Sequence, residues 1–173
     1  MTPRNLLIVF ALCFSSAVQA NDVDAGQAQS SFLKTLSDPV KNLLDYAVSQ
    51  NGISYRSGGT NPRSGFDCSG FVRYVFDHVE GLSLPHSSKA MSLIGSRIKF
   101  AELQPGDLVF FRIVRQGISH VGIYLGNNRF IHATSNSTGS VMISDITEGY
   151  WARRFTLARR IELPAEASSN LSE

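Results

Sequence analysis

The chain has 173 residues, two of them cysteines, and a formal net charge of +2 at pH 7. Lysine and arginine are scattered along the chain without forming a basic stripe, so the composition does not indicate a nucleic-acid-binding protein. A chain of this length is typical of one domain and is long enough to bury a hydrophobic core.

The N-terminus is predicted to be a secretory signal peptide. Residues 1–20 combine Arg4, a short apolar run and a small-residue end at Ala20, which is the order that export signals show. The apolar run is too short to cross a bilayer as a helix. Leu12 precedes Cys13 and is not small, which disfavours a lipoprotein anchor. We therefore expect an exported, soluble, periplasmic protein without a membrane span.

Three regions are expected after the signal peptide. Residues 21–37 are polar and lack a sustained period, so we expect a flexible segment there. Residues 38–163 are expected to fold as one domain, and residues 164–173 to be a disordered tail. Removal of Cys13 with the signal leaves Cys68 without an internal disulfide partner. Such a thiol is either a small buried apolar residue or a reactive group.

Two amphipathic helices are predicted in the first half of the domain. Asp38 can cap the first helix, Pro39 suits its first turn, and an apolar period runs to Asn51-Gly52. The loop "ISYRSGGTNPRSG" at residues 53–65 leads to the second helix, with Cys68 in its first turn. The apolar residues of this second helix recur at helical spacing: Cys68, Phe71, Val72, Val75, Phe76 and Val79.

The second half of the domain is predicted to be an antiparallel sheet. A short helix capped by Ser87 or Ser88 and ending at Gly95 precedes it, and Pro105-Gly106 predicts a type II turn before a buried strand. The stretch "ISHVGIYLGNNRFIHA" is typical of two strands around a turn, and "SVMISDI" and "FTLARRIEL" supply further strands. Helices followed by antiparallel strands predict an α+β fold.

Cys68 is placed where a helix end favours the reactive thiolate. Asp67 is expected to cap this helix, but its negative charge opposes a thiolate, so a basic partner is needed. We expect His78 on the solvent side of the helix and His86 in a loop that could line a groove. The remaining histidines are His120 and His132.

His120 and His132 fall in the two strands of the predicted hairpin, and the turn decides whether they share a face. If residues 126–128 form a three-residue loop, Gly122 faces His132 and both histidines lie on one face, within reach of a mutual hydrogen bond. A two-residue turn at Asn127-Asn128 would place them on opposite faces unless a β-bulge restored the parity.

These residues supply a thiol, a base and an orienting group. Cys68 can attack a carbonyl carbon, His120 can deprotonate the thiol and later protonate the leaving amine, and His132 can fix the tautomer of His120. The alternatives are a structural thiol and a zinc site. The lack of CxxC and HxxxH spacings disfavours zinc.

Six stretches, in this order, resemble the NlpC-type cysteine peptidases, papain-like enzymes that cut bacterial cell-wall peptides: "YRSGG", "GFDCSGFVRYVF", "LPHSS", "LQPGDLVFF", "ISHVGIYLGNNRFIHA" and "YWARRF". The resemblance runs from about Val40 to Ile161. It implies a reduced papain-like fold with N-terminal helices, in which the nucleophile helix packs on an antiparallel sheet. Residues 38–163 would then be the catalytic domain.

The resemblance implies roles for individual residues. Cys68 would be the nucleophile, His120 the base and His132 the third member. Tyr55 would lie beside the nucleophile and help to stabilise the oxyanion, although a core aromatic is an equal alternative. Three further residues are expected to bind substrate, with helix capping as the alternative for the first two: Asp67, Ser69 and His86.

The implied activity is that of a peptidoglycan endopeptidase, which hydrolyses amide bonds in murein peptides through a thioester acyl-enzyme and needs neither cofactor nor metal. The first expectation is cleavage of cross-links from D-Ala to diaminopimelate. Cleavage between γ-D-glutamate and diaminopimelate in one stem, and a non-catalytic module that binds wall peptides, are the alternatives. The substrate would be reached by the groove itself or through a regulatory or adaptor protein, and we expect a monomer.

Overall fold

The computed structural model describes residues 36–115, 117–135 and 139–163. The predicted signal peptide, nearly all of the segment predicted to be flexible, and the predicted tail lie outside the described residues. Within the described ranges, no helix combines the length and the apolar character that crossing a membrane requires.

Helices dominate the first half of the described chain, as predicted. Helix α1 spans Asp38–Ser49 and helix α2 spans Cys68–Glu80. The loop between them contains a small antiparallel pair, β1 (Thr60–Asn61) and β2 (Gly65–Phe66). A one-turn helix α3 follows at Ser88–Met91.

The second half forms an antiparallel sheet of six strands. The strands are β3 (Ser96–Ile98), β4 (Leu108–Phe111), β5 (His120–Gly126), β6 (Arg129–Ala133), β7 (Val141–Asp145) and β8 (Phe155–Arg160). Their order across the sheet is β3-β8-β4-β5-β6-β7. A 3-10 turn at Phe100–Glu102 precedes β4, and a one-turn helix α4 at Gly149–Ala152 precedes β8. The predicted α+β class is confirmed.

Helix α2 packs on the sheet through its predicted apolar stripe. The buried residues of this stripe share a core with Val121 and Ile123 of β5 and Ile131 of β6. Each large apolar side chain that is fully buried contributes about 1.5–3 kcal/mol to stability. The stripe therefore fixes α2, and with it Cys68, against β5 and β6. Its fully buried members are Phe71, Val72, Val75 and Phe76.

The turn of the β5–β6 hairpin is the second of the two alternatives, a two-residue turn with a bulge. Asn127 and Asn128 form a two-residue turn with φ of 50° and 61°, and Gly126 pairs with Arg129. The three-residue alternative is therefore wrong. The register shifts between Tyr124 and Gly126, which leaves one extra residue in β5. This irregularity restores the parity, so both histidines still share a face.

Other differences concern short elements. Asp38 is the first residue of α1, and Ser37 occupies the cap position. The hydroxyl oxygen of Ser87 accepts a hydrogen bond from the helix, as predicted, but the helix ends at Met91 rather than Gly95. Strand β3 and helix α4 were not predicted. Both are only three or four residues long, too short for a clear periodic pattern.

Candidate active site

Cys68 is the first residue of α2, and the residue before it caps the helix. Oδ1 of Asp67 accepts a hydrogen bond from the Gly70 N–H at 2.7 Å, which confirms the predicted cap. The other carboxylate oxygen accepts from the Gly58 N–H at 3.0 Å. Asp67 therefore fixes both the start of α2 and the loop that leads to it.

The thiol of Cys68 is partly buried against the beginning of β5. Burial, assisted by the Asp67 carboxylate, raises the pKa of the thiol to about 11. Backbone N–H groups of Val121, Ser69 and Cys68 itself act in the opposite direction, because they donate hydrogen bonds to the sulfur and favour the thiolate. Burial outweighs them, so the thiol is protonated at neutral pH and needs a base.

The two strand histidines form a buried, hydrogen-bonded pair. His120 Nε2 and His132 Nδ1 are 2.9 Å apart, and the rings are nearly perpendicular. His120 is 4% exposed, and His132 is fully buried. Gly122 leaves the space for this arrangement, because a Cβ there would lie 3.1 Å from His132 Cβ and 2.8 Å from the Ile131 carbonyl oxygen. The structure thus brings the predicted pair together.

The histidine pair continues to a hydroxyl group on β7. His132 Nε2 lies 2.9 Å from Ser144 Oγ. A neutral imidazole has one donor and one acceptor nitrogen. If His120 Nε2 donates to His132 Nδ1, then His132 Nε2 donates to Ser144. This set of tautomers leaves Nδ1 as the basic nitrogen of His120.

Trp151 forms a wall beside both histidine rings. Its ring stacks on His120 with centroids 5.4 Å apart and meets the His132 ring at a steep angle, with centroids 4.8 Å apart. Phe130 stacks on His132 at 4.6 Å. No role was predicted for Trp151 or for Ser144. The available signal for Trp151 was its position as the single tryptophan of the chain, within "YWARRF".

Tyr55 lies near the thiol, as expected from the resemblance. Burial is the main cause that raises the pKa of the Tyr55 phenol, and the charges of Cys68 and Asp67 add to it. The side chain also packs against the main core. Tyr55 therefore lies near the thiol and also packs against the core, and its role in stabilising the oxyanion stays a prediction.

The three residues predicted to bind substrate meet at the start of α2. The Ser69 hydroxyl lies 2.9 Å from Asp67 Oδ1 and 3.2 Å from the carbonyl oxygen of His86. His86 is exposed, and so is His78, whose ring stacks on Tyr46 at 4.3 Å on the solvent side of α2. Capping contacts thus engage Asp67 and Ser69, and their binding of substrate stays a prediction.

The chain matches the model of the NlpC/P60 family over residues 52–160. It belongs to the NlpC/P60 family. The chain is 38% identical over 143 residues to the murein DD-endopeptidase MepS/murein LD-carboxypeptidase of Escherichia coli strain K12, an alignment that covers 83% of this chain and 74% of that protein. It is 41% identical over 112 residues to the gamma-DL-glutamyl hydrolase of Bacillus subtilis strain 168, covering 64% of this chain and 27% of that protein.

A solved structure also supports the NlpC/P60 assignment. The NLP/P60-family protein of Staphylococcus aureus matches with a TM-score of 0.65 and 35% identity, over 73% of this chain and 42% of that protein. The predicted papain-like α+β fold is therefore confirmed. Tyr55, Cys68 and both strand histidines lie within the matched range.

Both histidines of this NlpC/P60 domain are neutral at pH 7. Burial lowers the pKa of His120 to about 4. Burial, with the charge of His120 as a second cause, lowers the pKa of His132 to about 2. A neutral His120 is the form that can accept a proton from the thiol.

We expect the NlpC/P60 domain to lose stability as the pH falls from 6.5 towards about 4, the pKa of His120 in the fold. In this window the unfolded chain binds protons that the buried rings do not, so protonation favours unfolding by up to about 1.4 kcal/mol per unit of pKa difference. Thermal melts over this range should show a smaller decrease in melting temperature for His132→Gln than for the wild type. Equal decreases would contradict the buried neutral pair.

Proposed function

We propose that this protein is an exported cysteine peptidase that hydrolyses amide bonds in peptidoglycan peptides. The observation that carries the proposal is the position of His120, which is the first residue of β5 and is hydrogen-bonded to His132 of β6. The backbone N–H of the next residue, Val121, donates to the Cys68 sulfur. Peptidoglycan as the substrate is supported by the E. coli relative, which is named a murein endopeptidase.

His120 acts as the general base. Because Nε2 is engaged by His132, Nδ1 takes the thiol proton as the sulfur of Cys68 attacks the scissile carbonyl carbon. The C–N bond then breaks, His120 gives the proton to the leaving amine, and a thioester remains on Cys68. Water, deprotonated by His120, attacks the thioester, and the new carboxylic acid and the thiol are released.

We assign two donors to the oxyanion formed by this attack. The first is the Cys68 backbone N–H at the helix start, which favours negative charge beside the sulfur. The Tyr55 phenol has a raised pKa and therefore keeps its proton at neutral pH, so it can donate a hydrogen bond to the developing charge.

We expect Ser144→Ala to lower kcat about three- to tenfold with little change in KM, which corresponds to about 1 kcal/mol for one lost hydrogen bond. The change removes the hydroxyl that His132 Nε2 contacts, so the tautomer of the pair is no longer fixed. Steady-state cleavage of cross-linked murein dimers is the measurement. Ser144→Thr keeps the hydroxyl and should retain most of the rate. A kcat for Ser144→Ala equal to that of the wild type would contradict the positioning role.

The cross-link between D-Ala and diaminopimelate is the bond that we propose is cut, as the name of the E. coli relative supports. The second candidate is the γ-D-glutamyl bond to diaminopimelate, which is supported by the 41% identity to a gamma-DL-glutamyl hydrolase. Digestion of purified muropeptide monomers and cross-linked dimers, with products identified by mass, distinguishes the two. Dimers converted to monomers support the first bond, and shortened monomers support the second. No change under reducing conditions would contradict hydrolysis and favour a module that binds wall peptides.

Export is part of the proposal and is supported by the signal pattern at residues 1–20. The measurement is the mass of the protein recovered from the periplasm. We expect an N-terminus at Asn21.

A further inference from the structure

An open depression of about 480 Å³ at the end of the sheet is lined mainly by arginine side chains. Two segments form it, one directly after β4 and the other directly after α4. We call it the arginine pocket, and its lining residues are Arg112, Ile113, Val114, Arg115, Arg153 and Arg154.

The arginine pocket adjoins the histidine pair through the backbone. Phe111 pairs with His120 in the sheet and is followed at once by Arg112. Trp151 stacks on His120, and its carbonyl oxygen accepts a hydrogen bond from the Arg154 N–H at 2.9 Å. The Arg112 N–H donates to the Arg154 carbonyl oxygen, also at 2.9 Å. The two segments are thus tied together and continue directly from residues that contact His120.

The positive charge of the arginine pocket is not neutralised within the described part of the chain. No acidic residue lines the pocket, and the ion pairs found among the described residues lie elsewhere. Arg112, Arg115 and Arg153 are exposed to solvent. Several like charges in one concavity create a positive potential that attracts anions.

Arg154 is held in position without a ligand. Its guanidinium carbon lies 3.8 Å from the centroid of the Tyr150 ring, and Nη1 donates to the Tyr150 carbonyl oxygen at 3.0 Å. A side chain that is already ordered loses little conformational entropy when it binds a ligand. The planar guanidinium also matches a carboxylate, to which it can donate two parallel hydrogen bonds.

We propose that the arginine pocket binds a free carboxylate of the murein peptide that is cut at Cys68, and so helps to select the scissile bond. This inference rests on the proposed function. A γ-linked D-glutamate keeps its α-carboxylate free, and diaminopimelate has two carboxyl groups, so either candidate amide has a carboxylate within a few bonds. The pocket therefore favours substrates whose carboxylates are ionised over the same substrates with amidated carboxyl groups.

The test compares two purified cross-linked dimers, one with free carboxylates and one in which they are amidated. The variant Arg115→Gln/Arg153→Gln removes two exposed charges of the pocket. On the free dimer we expect its KM to rise about tenfold, as for one or more lost charge-assisted hydrogen bonds, with kcat within about twofold of the wild type. On the amidated dimer the two proteins should have the same KM. Arg97→Gln, which removes an exposed arginine of β3 outside the pocket, should match the wild type on both dimers.

A binding measurement keeps this test independent of turnover. Titration of Cys68→Ala with the free dimer gives a Kd, and adding the two arginine substitutions should raise that Kd about tenfold. An unchanged Kd, or a wild-type KM that amidation does not alter, overturns the inference and leaves the proposed function standing. Loss of binding to whole sacculi with an unchanged KM on soluble dimers would assign the pocket to an anionic wall polymer and also overturn it. An arginine-dependent Kd without cleavage by the wild type supports the pocket and contradicts the proposed function.

Discussion

Replacing Cys68 by serine should lower the rate of murein cross-link hydrolysis by at least ~10³-fold while the fold is retained. A hydroxyl group fills nearly the same space at the first turn of α2, but it is a much weaker nucleophile than a thiol and holds its proton far more tightly. The measurement is release of monomers from cross-linked dimers at equal protein concentrations.

The stability of the same variant serves as the control. Only one side-chain atom changes in Cys68→Ser, and the fully buried members of the apolar stripe of α2 are untouched, so the melting temperature should stay close to that of the wild type. Hydrolysis by Cys68→Ser within about tenfold of the wild-type rate would be incompatible with a sulfur nucleophile.

Replacing His120 by glutamine should lower kcat/KM by about 10²- to 10⁴-fold, because the general base is lost. In the wild type, kcat/KM should hold from neutral pH down to mildly acidic pH and fall as the pH drops through about 4, where His120 becomes protonated and can no longer accept the thiol proton. The residual activity of His120→Gln should lack this acid limb. The measurement is kcat/KM as a function of pH for both proteins.

His78→Gln is the matched control for the His120 prediction. His78 is an exposed histidine of α2 that stacks on Tyr46, so its removal should leave both kcat/KM and the pH profile unchanged. An acid limb near pH 6.5, the ordinary pKa of histidine, would contradict the burial of His120. So would a rate for His120→Gln equal to that of the wild type.

The activation of Cys68 differs from what the helix position suggests. A helix N-terminus lowers a thiol pKa, and the backbone N–H groups around the sulfur do act in that direction. Burial and the Asp67 carboxylate nevertheless raise the pKa to about 11. In the proposed mechanism the sulfur therefore loses its proton to His120 during attack, and does not carry a negative charge before the substrate binds.

Local signals made the helix of Cys68 predictable. Its apolar stripe repeats at helical spacing, and Asp67 supplies a capping side chain. The strands around the Asn127-Asn128 turn alternate clearly as well. The choice of turn was not predictable, because a three-residue loop and a two-residue turn with an irregularity in β5 give the same parity. Asparagine tolerates the positive φ that the two-residue turn requires.

The surroundings of the histidines depend on contacts between distant segments, which no local pattern reveals. Ser144 meets His132 only because β7 pairs with β6 in one register. Trp151 reaches the pair from α4, an element too short to show a period. The arginine pocket joins residues that follow β4 to residues that follow α4. The sequence thus carried the catalytic candidates, while the groups that orient them and the adjoining pocket required the structure.

Detection of the acyl-enzyme is the most direct test of the proposal that the Cys68 sulfur carries the acyl group. The mature protein is mixed briefly with cross-linked dimers and quenched in acid, and the protein and its peptides are then weighed by mass spectrometry. We predict an adduct with the mass of the acyl part of the cleaved peptide, located on the peptide that contains Cys68, decaying with time and absent from Cys68→Ala. Cleavage that continues in Cys68→Ala without any adduct would contradict the mechanism.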